Sequence, residues 1–510
     1  MCPHCGSKLK RSHTTCNKKI FTLKQQTLHI ISHAYKCTNQ KNCPKPKELY
    51  KSKEPEKICL KHYQYSIEVI VKIGHLYYNK HQTLNQIKQH LKKLDISKSE
   101  INLLCQAYLA LNKADHEQNH QYLNKIKPEG IILELDGVQP EKGNETLWIL
   151  KDNTTKTTLL AKNLASADKN SLATLLKEVK TLNIKINAVI SDGQRSIRLA
   201  VKQELPNIPH QLCHYHFLRN IAKPVSEMDR ALKVDLKKKV RGIKPIEQKT
   251  IDSQDKQKQL IYKYCQTIRF ALQDDGRYPL KPGGLQLYSR LQTIQQSIER
   301  NNKLRPNAEL QKILCLLSIL DELKSRYQKI KRLYKWIFRA NRILRQNKSK
   351  KHKKSSARVE ADLFLFFDDL LKVYCKCSKE DGLVFENILK FMASYWEGLF
   401  FHYDMSLVPR TNNDLERFIC RLKSGFRKTV GRASCQGFIV RYGAFVVLLD
   451  DSLSQEELVV RFGSVGYGVF RRWFGEIRGF RVRLHLRRCL SKGFCGSISG
   501  LEREWAALVL

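Results

Sequence analysis

The order of apolar runs between residues 130 and 216 constrains the fold of this chain more than any other feature of its sequence. Three short runs come first at hairpin spacing. A striped helical pattern then alternates with two further runs. The pattern predicts strands over 131–136, 146–150, 157–160, 186–190 and 210–216, with helices over 167–182 and 196–205. The order is therefore β-β-β-α-β-α-β, which predicts a mixed α/β sheet.

Two of the predicted strands end in an Asp-Gly step. Asp136 closes the first strand, and Asp192 closes the fourth. A single Asp-Gly step is typical of a turn, but two steps that close apolar strands at these places favour a shared site. Glu134 lies on the same strand face as Asp136, because side chains alternate along a strand. It is either a second acid behind the site or an exposed one.

A third carboxylate is expected on a helix near these strand ends. Residues 412–426 have an apolar stripe made of Leu415, Phe418, Ile419, Leu422 and Phe426. Glu416 lies beside that stripe on the face of Asn412, where an acid can meet a metal, and Asp414 is the alternative. Thr411 and Asp414 predict a capping-box-like helix start. Grouped carboxylates are typical ligands of Mg²⁺, and two such ions about 4 Å apart serve phosphodiester chemistry.

Together these segments resemble the Asp-Asp-Glu transposases, particularly the Mutator-like branch and related bacterial insertion-sequence enzymes. The resemblance covers roughly residues 130–430 and is specific through the combination of its motifs. Four segments carry it: Leu135-Asp136-Gly137, Val189-Ile190-Ser191-Asp192-Gly193, Leu212-Cys213-His214-Tyr215-His216 and Thr411-Asn412-Asn413-Asp414-Leu415-Glu416.

The resemblance implies an RNase H-like mixed sheet with a large all-helical insertion, in which the first and fourth strands lie side by side. It adds an N-terminal zinc-ribbon-like and helical DNA-binding region. The expected divisions are a zinc-ribbon-like segment (1–58), a helical region (59–126), the first part of the catalytic core (127–216), the insertion (217–405), the final core helix (406–450) and an Arg/Gly-rich tail without a place (451–510).

The resemblance also implies what the site residues do. Asp136 would bridge two Mg²⁺ or Mn²⁺ ions, and Asp192 and Glu416 would each complete one coordination sphere. Cys213, His216 and Asn412 are expected to support the site. Cys213 and His216 are too few to hold a metal by themselves.

The N-terminal cysteines predict a structural Zn²⁺ site. Cys2-Pro3-His4-Cys5-Gly6 is a zinc-knuckle sequence, and Cys37 with Cys43 can complete a tetrahedral set. Five residues separate Cys37 from Cys43, a wider spacing than the two to four residues usual between paired zinc ligands. Cys16, His13, His29 and His33 are therefore alternatives for the second half. The resemblance implies that such a zinc ribbon binds terminal-repeat DNA.

Helical stripes follow the cysteine-rich segment. Apolar residues at 84, 87 and 91 and a second run over 101–109 flank the polar segment 95–100. Two helices around a polar turn resemble a helix-turn-helix, although any helical hairpin gives the same pattern.

The charge of the chain predicts a polyanionic partner. Lys and Arg number 92 against 48 Asp and Glu, giving a formal net charge of +44. Such an excess attracts nucleic acid, with a ribosomal or membrane-surface protein as the alternative. Two basic runs are expected to follow phosphates: Lys237–Lys239, and the run made of Lys348, Lys350, Lys351, Lys353 and Lys354.

These observations predict a transposase that binds the ends of a mobile DNA element and performs metal-dependent strand cleavage and strand transfer. Double-stranded DNA is the expected partner, with a homo-oligomer assembling on it. The alternatives are a structure-selective nuclease on the same core and a non-catalytic regulator derived from a transposase. The absence of an apolar signal segment and the 16 cysteines predict a reducing, cytoplasmic setting at the bacterial nucleoid.

Overall fold

The computed structural model describes residues 1–24, 27–138, 145–345, 354–431, 434–492 and 494–509. Its strands form two sheets. The first sheet is antiparallel, in the order β1-β2-β3, and the second has the order β6-β5-β4-β7-β8. β4 pairs antiparallel with β5, and β5 pairs antiparallel with β6, whereas β7 and β8 pair in parallel. The strands are β1 (Leu9–Phe21), β2 (Thr27–Cys37), β3 (Leu49–Lys51), β4 (Ile131–Val138), β5 (Thr146–Asp152), β6 (Thr158–Leu164), β7 (Ile186–Ser191) and β8 (His210–Leu212).

Helices make up most of the described chain. They are α1 (Glu54–Ile58), α2 (Ile67–Gly74), α3 (Leu84–His90), α4 (Lys98–Asn119), α5 (Lys169–Lys180), α6 (Arg195–Glu204), α7 (His214–Ile221), α8 (Lys223–Val240), α9 (Lys244–Thr250), α10 (Lys256–Gln273), α11 (Gly283–Leu304), α12 (Ala308–Leu317), α13 (Ile319–Glu322), α14 (Lys324–Leu344), α15 (Ser356–Tyr374), α16 (Lys379–Tyr395), α17 (Phe401–Asp404), α18 (Asn413–Val430), α19 (Gln436–Val446), α20 (Gln455–Gly463), α21 (Tyr467–Lys492) and α22 (Phe494–Val509). Among the described helices, none has both the length and the apolar character needed to cross a bilayer.

The predicted order of strands and helices is observed as β4-β5-β6-α5-β7-α6-β8, but several predicted ends are wrong; β6, for example, continues to Leu164 rather than to residue 160. β4 continues to Val138, because Asp136 and Gly137 pair with Ile149 and Trp148 of β5. Asp136 therefore lies inside the strand rather than at its end. β8 stops at Leu212, because the chain turns into α7 immediately afterwards.

Contacts divide the chain into two compact units. Unit 1 comprises Met1–Asn187, Leu199–Pro206 and Asn413–Leu510, and unit 2 comprises Ala188–Arg198 and Asn207–Asn412. Unit 2 is built around α7 to α17, which fold the stretch that the sequence predicts as helical. Its core contains a large apolar cluster, with fully buried residues such as Phe217, Leu291 and Ile330.

Two apolar clusters of unit 1 contain helices from its C-terminal part. In the first, α18 and α19 pack on β4, β5 and β6 through Leu415, Ile439 and Leu147. In the second, α2 and α4 pack with α20 and α21 of the tail. Leu458 and Phe462 lie four residues apart in α20, a spacing that places both on one helix face. The Arg/Gly-rich tail, which the sequence analysis assigned to no domain, therefore contributes α20 and α21 to the core of unit 1.

The predicted helix-turn-helix pair corresponds to α3 and α4. Thr83 and Ser97 begin these helices, and each forms a reciprocal capping box with the residue three positions later. However, α4 is 22 residues long and buried at every position from Leu104 to Asp115. Its exposed positions are confined to its first two turns and its C-terminal end, which leaves little helical surface for a DNA groove.

Candidate functional site

Four cysteines near the N-terminus lie close enough to share one metal ion. The Sγ atoms of Cys2, Cys5, Cys37 and Cys43 all lie within 4.8 Å of one another. The Cys2 and Cys43 sulfurs are 3.8 Å apart, and the Cys5 and Cys37 sulfurs are 3.4 Å apart. Four sulfurs bound tetrahedrally at about 2.3 Å from Zn²⁺ lie about 3.8 Å from each other. The cluster therefore has the dimensions of one tetrahedral site.

The local fold explains why these four cysteines meet. Gly6 has a φ of +70°, which lets the chain turn sharply after Cys5. Its N–H donates to the carbonyl of Cys2 at 2.9 Å. Cys37 is the last residue of β2, so the ribbon formed by β1 and β2 leads into the cluster. The alternative ligands Cys16, His13, His29 and His33 lie along this ribbon, outside the cluster.

Burial and hydrogen bonds separate the pKa values of the thiols. Burial raises the pKa of Cys2, but hydrogen bonds from the knuckle backbone and Tyr50 outweigh it and lower the pKa to about 6. Burial raises the pKa of Cys37. Crowded thiolates repel one another, so full ionisation of the cluster requires a cation among them. This chemistry suits a thiolate-bound metal.

Asp136 and Glu134 occupy one face of β4. Asp136 is half-buried, and one of its carboxylate oxygens accepts the N–H of Gly137 at 2.8 Å. Glu134 is fully buried, and Asn153 donates to its carboxylate at 2.5 Å. Burial raises the pKa of Glu134. Of the two alternatives for Glu134, exposure to solvent is therefore wrong; a role as a second acid behind the site stays a prediction.

Asp192 lies in a tightly held turn directly after β7. Tyr395, at the end of α16, donates from its hydroxyl to the backbone carbonyl of Asp192 at 2.6 Å. One Asp192 carboxylate oxygen accepts the N–H of Gln194 at 2.9 Å. Gly193 has a φ of +83°, and a Cβ there would lie 2.5 Å from the Tyr395 ring. The sequence contains no local signal for Tyr395, because it lies about 200 positions from the turn it holds.

Gly193→Ala is expected to destabilise unit 2 by about 1–3 kcal/mol, because Ala is strained at this φ and its methyl group collides with Tyr395. The free energy of unfolding in urea measures the effect. Gly437→Ala is the control, since nothing lies within 4 Å of a Cβ at that helical position. It should be neutral or slightly stabilising. Equal stability of the two variants would contradict the close contact at Gly193.

The Cys213 segment joins β8 to α7 and contacts two other stretches of unit 2. The buried Cys213 donates its N–H to the carbonyl of Ser191 at 2.8 Å, and its sulfur accepts the N–H of Asn412 at 3.4 Å. The His214 N–H donates to the carbonyl of Arg410 at 3.0 Å. These bonds tie the end of β7 to the residues that lead into α18.

Asn412 and His216 occupy different surroundings. Asn412 is fully buried, and among the described residues neither polar atom of its side chain has a hydrogen-bond partner. His216 is half-buried within α7, where it lines a cleft of unit 2, rather than at a strand end. The structure therefore brings Cys213 and Asn412 together, while His216 faces the cleft.

Glu416 lies in the first turn of α18. Leu415 and Ile419 bury the neighbouring helix face against the sheet, and Glu416 itself is half-buried. The alternative acid, Asp414, forms an ion pair with Lys156 that lowers the Asp414 pKa. The helix begins at Asn413, so Thr411 is two residues before it and the predicted capping box is wrong. Asp136 and Glu416 belong to unit 1 and Asp192 to unit 2, so their convergence stays a prediction.

Unit 2 also contains a basic cleft of about 760 Å³. Its cations come from α7, α8 and the segment before α11: Arg219, Lys223, Arg230, Lys233, Lys237 and Lys281. Three acids also line it, Glu227, Asp229 and Asp275. The Asp229 carboxylate accepts the N–H groups of Gly284 and Leu285, and Asp275 forms ion pairs with Lys233 and Lys237. Of the cations that line the cleft, only Lys237 belongs to the lysine run predicted from the sequence. The other cations of the cleft are spaced along three separate elements, so they form no run in the sequence.

The second predicted basic run falls mainly where the structure gives no description. Lys348, Lys350, Lys351 and Lys353 lie outside the described residues. Lys354 is described, and its ammonium donates to the carbonyl of Ile343 at 2.8 Å. Contact of this run with phosphates stays a prediction.

Part of the chain matches the model of a known protein family. Residues 156–274 match the family model described as Transposase, Mutator family. The matched segment runs from the turn before β6 into α10 and includes Asp192 and the Cys213 segment. It spans roughly a quarter of the chain. No protein of curated function matches the chain. The family match confirms the resemblance to Mutator-like transposases.

Proposed function

We propose that this chain, which carries a Mutator-family transposase region, binds the ends of a mobile DNA element and catalyses DNA cleavage and strand transfer. The family match over residues 156–274 carries the proposal. The match contains one proposed catalytic acid, Asp192, and the Cys213 segment that holds the end of its strand. The net charge of +44 suits a partner made of duplex DNA. The protein would act in the cytoplasm, at the nucleoid, as a homo-oligomer assembled on DNA.

An RNase H-like core is the second part of the proposal. Three antiparallel strands, β6-β5-β4, are followed in the sheet order by β7 and β8. Within unit 1, the N–H of Ile131 donates to the carbonyl of Lys185 at 2.9 Å. β4 therefore begins beside the residues that lead into β7, as the resemblance implies for the first and fourth strands.

Asp136, Asp192 and Glu416 are the proposed ligands of two Mg²⁺ or Mn²⁺ ions. Carboxylate oxygens on rigid elements are the donor set that these ions prefer. Asp136 is held by β4, Asp192 by the Tyr395 contact and Glu416 by the buried face of α18. Asp414 is the weaker candidate, because Lys156 already neutralises it.

The chemistry proposed for this site is hydrolysis followed by transesterification. Two bound divalent ions would activate the attacking hydroxyl and stabilise the charge that develops on the phosphate. Asp136, Asp192 and Glu416 would hold these ions through their carboxylate oxygens. The buried Glu134, with its raised pKa, would accept the Asn153 amide and hold the β4 face in place. The contacts of Cys213 with Ser191 and Asn412 would hold the end of β7 beside Asn412 within unit 2.

The four-cysteine cluster is proposed to hold a structural Zn²⁺. Its sulfur spacing and its buried, hydrogen-bonded thiols suit that ion. The ion would join the knuckle around Cys2 to the end of β2, which positions the N-terminal ribbon.

Incubation of the full chain with a duplex that carries the inverted repeats flanking its gene tests the proposed function. Mg²⁺-dependent nicking, followed by joining of the freed 3′ end to a second duplex, is the expected result. Cleavage without joining would replace the proposal with the nuclease alternative. Tight binding without any chemistry would replace it with the regulator.

Replacing Lys348, Lys350, Lys351, Lys353 and Lys354 with Gln is expected to flatten the salt dependence of DNA binding. Each lost phosphate contact lowers the slope of log affinity against log salt by about 0.9. Preference between DNA sequences should not change, because phosphates are the same in every sequence. Fluorescence anisotropy at several salt concentrations measures both quantities.

The control for this variant is Lys376→Gln with Lys379→Gln, two exposed lysines elsewhere in unit 2. It should lower the slope less than the five-lysine variant does. A slope that stays at the wild-type value in the five-lysine variant would mean that the run contacts no phosphates.

A further inference from the structure

We infer that the ribbon formed by β1 and β2 inserts one face into the major groove of duplex DNA and reads its sequence. The inference deepens the proposed function and rests on it, because it identifies the part of the chain that recognises the element's ends. It is carried by the different environments of the two ribbon faces and by the chemistry of the exposed one.

The inward face of the ribbon is packed against the chain that follows it. Ile20 and Ala34 are buried there, and Ser32 is nearly so. Lys18, on the same face, donates from its ammonium to the carbonyls of Leu60 and Tyr63 at 2.8 and 3.3 Å. Near Lys18 and Ile20 this face is therefore occupied within the protein, whereas His13, which pairs with the buried Ala34, is exposed.

The outward face is exposed along most of its length. Strand pairing places the following residues on it: Arg11, Thr14, Asn17 and Lys19 from β1, with His29, Ile31, His33 and Tyr35 from β2. All of them are exposed except the half-buried His33. Ile31, an apolar residue, is 55% exposed. A partner molecule can therefore contact this face along about four cross-strand residue pairs.

Hydrogen bonds across the outward face hold its polar side chains in fixed positions. Asn17 and His29 are bonded at 2.6 Å, and Thr14 and His33 at 3.2 Å. Arg11 donates to the hydroxyl of Thr14 at 3.0 Å. Side chains held in this way lose little freedom when a partner binds, which favours specific recognition.

The chemistry of this face fits the edges of DNA bases. Arg recognises guanine, Asn recognises adenine, and an apolar side chain such as Ile31 can contact the methyl group of thymine. No acidic residue occurs before Glu48, whereas ten Lys and Arg residues do. An acid-free, cationic segment complements the phosphates on both sides of a groove.

The shape of the ribbon also suits the major groove, which is about 12 Å wide and admits a two-stranded ribbon. The register shifts between Arg11 and His13 and between Thr14 and Cys16. Such bulges increase the twist of a ribbon. Helix α4, the other candidate reader, is buried over most of its length.

Both ends of the ribbon are anchored. At one end, Leu9 pairs with Cys37, a member of the four-cysteine cluster. At the other, the N–H of Phe21 donates to the carbonyl of Gln64 at 2.7 Å, and the N–H of Ser66 donates to Phe21 at 3.0 Å. A ribbon fixed at both ends presents its outward face in one orientation, as a recognition element requires.

Selection from a pool of duplexes with a randomised central segment tests the inference, using the full chain and no added Mg²⁺. The wild-type chain should select a consensus sequence. Asn17→Ala should lower the preference for that consensus over random duplex about tenfold, since one good base contact contributes this much or more. The salt slope should not change. Lys19→Gln should instead weaken binding to both duplexes and lower the slope by about one.

Asn42→Ala, an exposed asparagine outside the ribbon, is the control and should keep the wild-type preference. Methylation of guanine N7 within the consensus should also block binding, because N7 faces the major groove. Each variant must keep the zinc content and circular dichroism of the wild type.

Equal sequence preference in Asn17→Ala and Asn42→Ala would overturn the inference. So would insensitivity to N7 methylation, or a wild-type chain that selects no consensus. Loss of self-association in Asn17→Ala with unchanged preference would assign the face to a second copy of the chain. The proposed function fails separately, if the chain selects a sequence through this ribbon but never cleaves DNA when Mg²⁺ is added.

Discussion

Replacing Asp136, Asp192 or Glu416 singly with Asn or Gln is expected to abolish DNA cleavage and strand transfer while DNA binding remains. The amide keeps the shape of the side chain and removes the charge that holds a metal ion. Metal ions stabilise the charge of such a transition state by several kcal/mol. Each substitution should therefore slow cleavage by on the order of 10³-fold or more, which corresponds to about 4 kcal/mol.

Binding should survive because the proposed DNA contacts lie elsewhere, on the outward face of the ribbon and in the two lysine runs. The measurements are Mg²⁺-dependent nicking and joining of a labelled duplex, with binding to the same duplex measured in parallel. An acid variant that loses binding as well as cleavage would indicate a folding defect rather than a lost ligand.

Asp414→Asn is the matched control for Glu416→Gln, since both acids lie in the first turn of α18. Asp414 forms ion pairs with Lys156 and Arg417. Both cations and the acid are substantially exposed, so loss of these pairs should cost little stability. Activity should persist. If Glu416→Gln keeps full activity and Asp414→Asn loses it, the third proposed metal ligand is Asp414 and not Glu416.

Replacing Cys2 and Cys5 together with Ser is expected to release about one zinc ion per chain and to unfold the N-terminal sheet. The free energy of zinc binding to a four-ligand structural site is on the order of 10–16 kcal/mol. The three-stranded sheet has a small apolar core, and buried cysteines form much of it. Without the ion, this part of the chain should lose its fold and the chain its sequence-specific DNA binding.

Cys16→Ser is the control, because Cys16 lies on the ribbon outside the four-cysteine cluster. It should keep its zinc and its DNA preference. Native mass spectrometry gives the zinc content, and hydrogen exchange reports the folding of β1 to β3. A wild-type chain purified without chelators that carries no zinc would refute the assignment, as would equal zinc loss in Cys16→Ser.

Much of the candidate site could be predicted because its parts are local. The strand order from β4 to β8 follows from apolar periodicity. The knuckle around Cys2 identified two members of the cysteine cluster. The other two were left open among several cysteines and histidines, because spacing along the chain does not determine which strands pair.

Helix α4 shows where local pattern is insufficient. Its apolar stripe and polar start predicted a short DNA-reading helix. The structure instead buries it among α2, α20 and α21, helices that come from both ends of unit 1. Burial of this kind depends on segments more than 300 residues away, such as Phe462 against Tyr108, and no window of local sequence contains that information.

Local sequence was enough to establish the strand and helix order, the candidate acids and the basic character of the chain. These properties depend on backbone preferences and on side chains close together in the sequence. Tertiary packing decided the rest: that Tyr395 holds the carbonyl of Asp192, that Lys156 engages Asp414, that the tail completes a core and that one ribbon face remains exposed. The physical reason is that hydrogen bonds, ion pairs and burial depend on distances in space. Periodicity and composition carry no information about those distances between residues far apart in the chain.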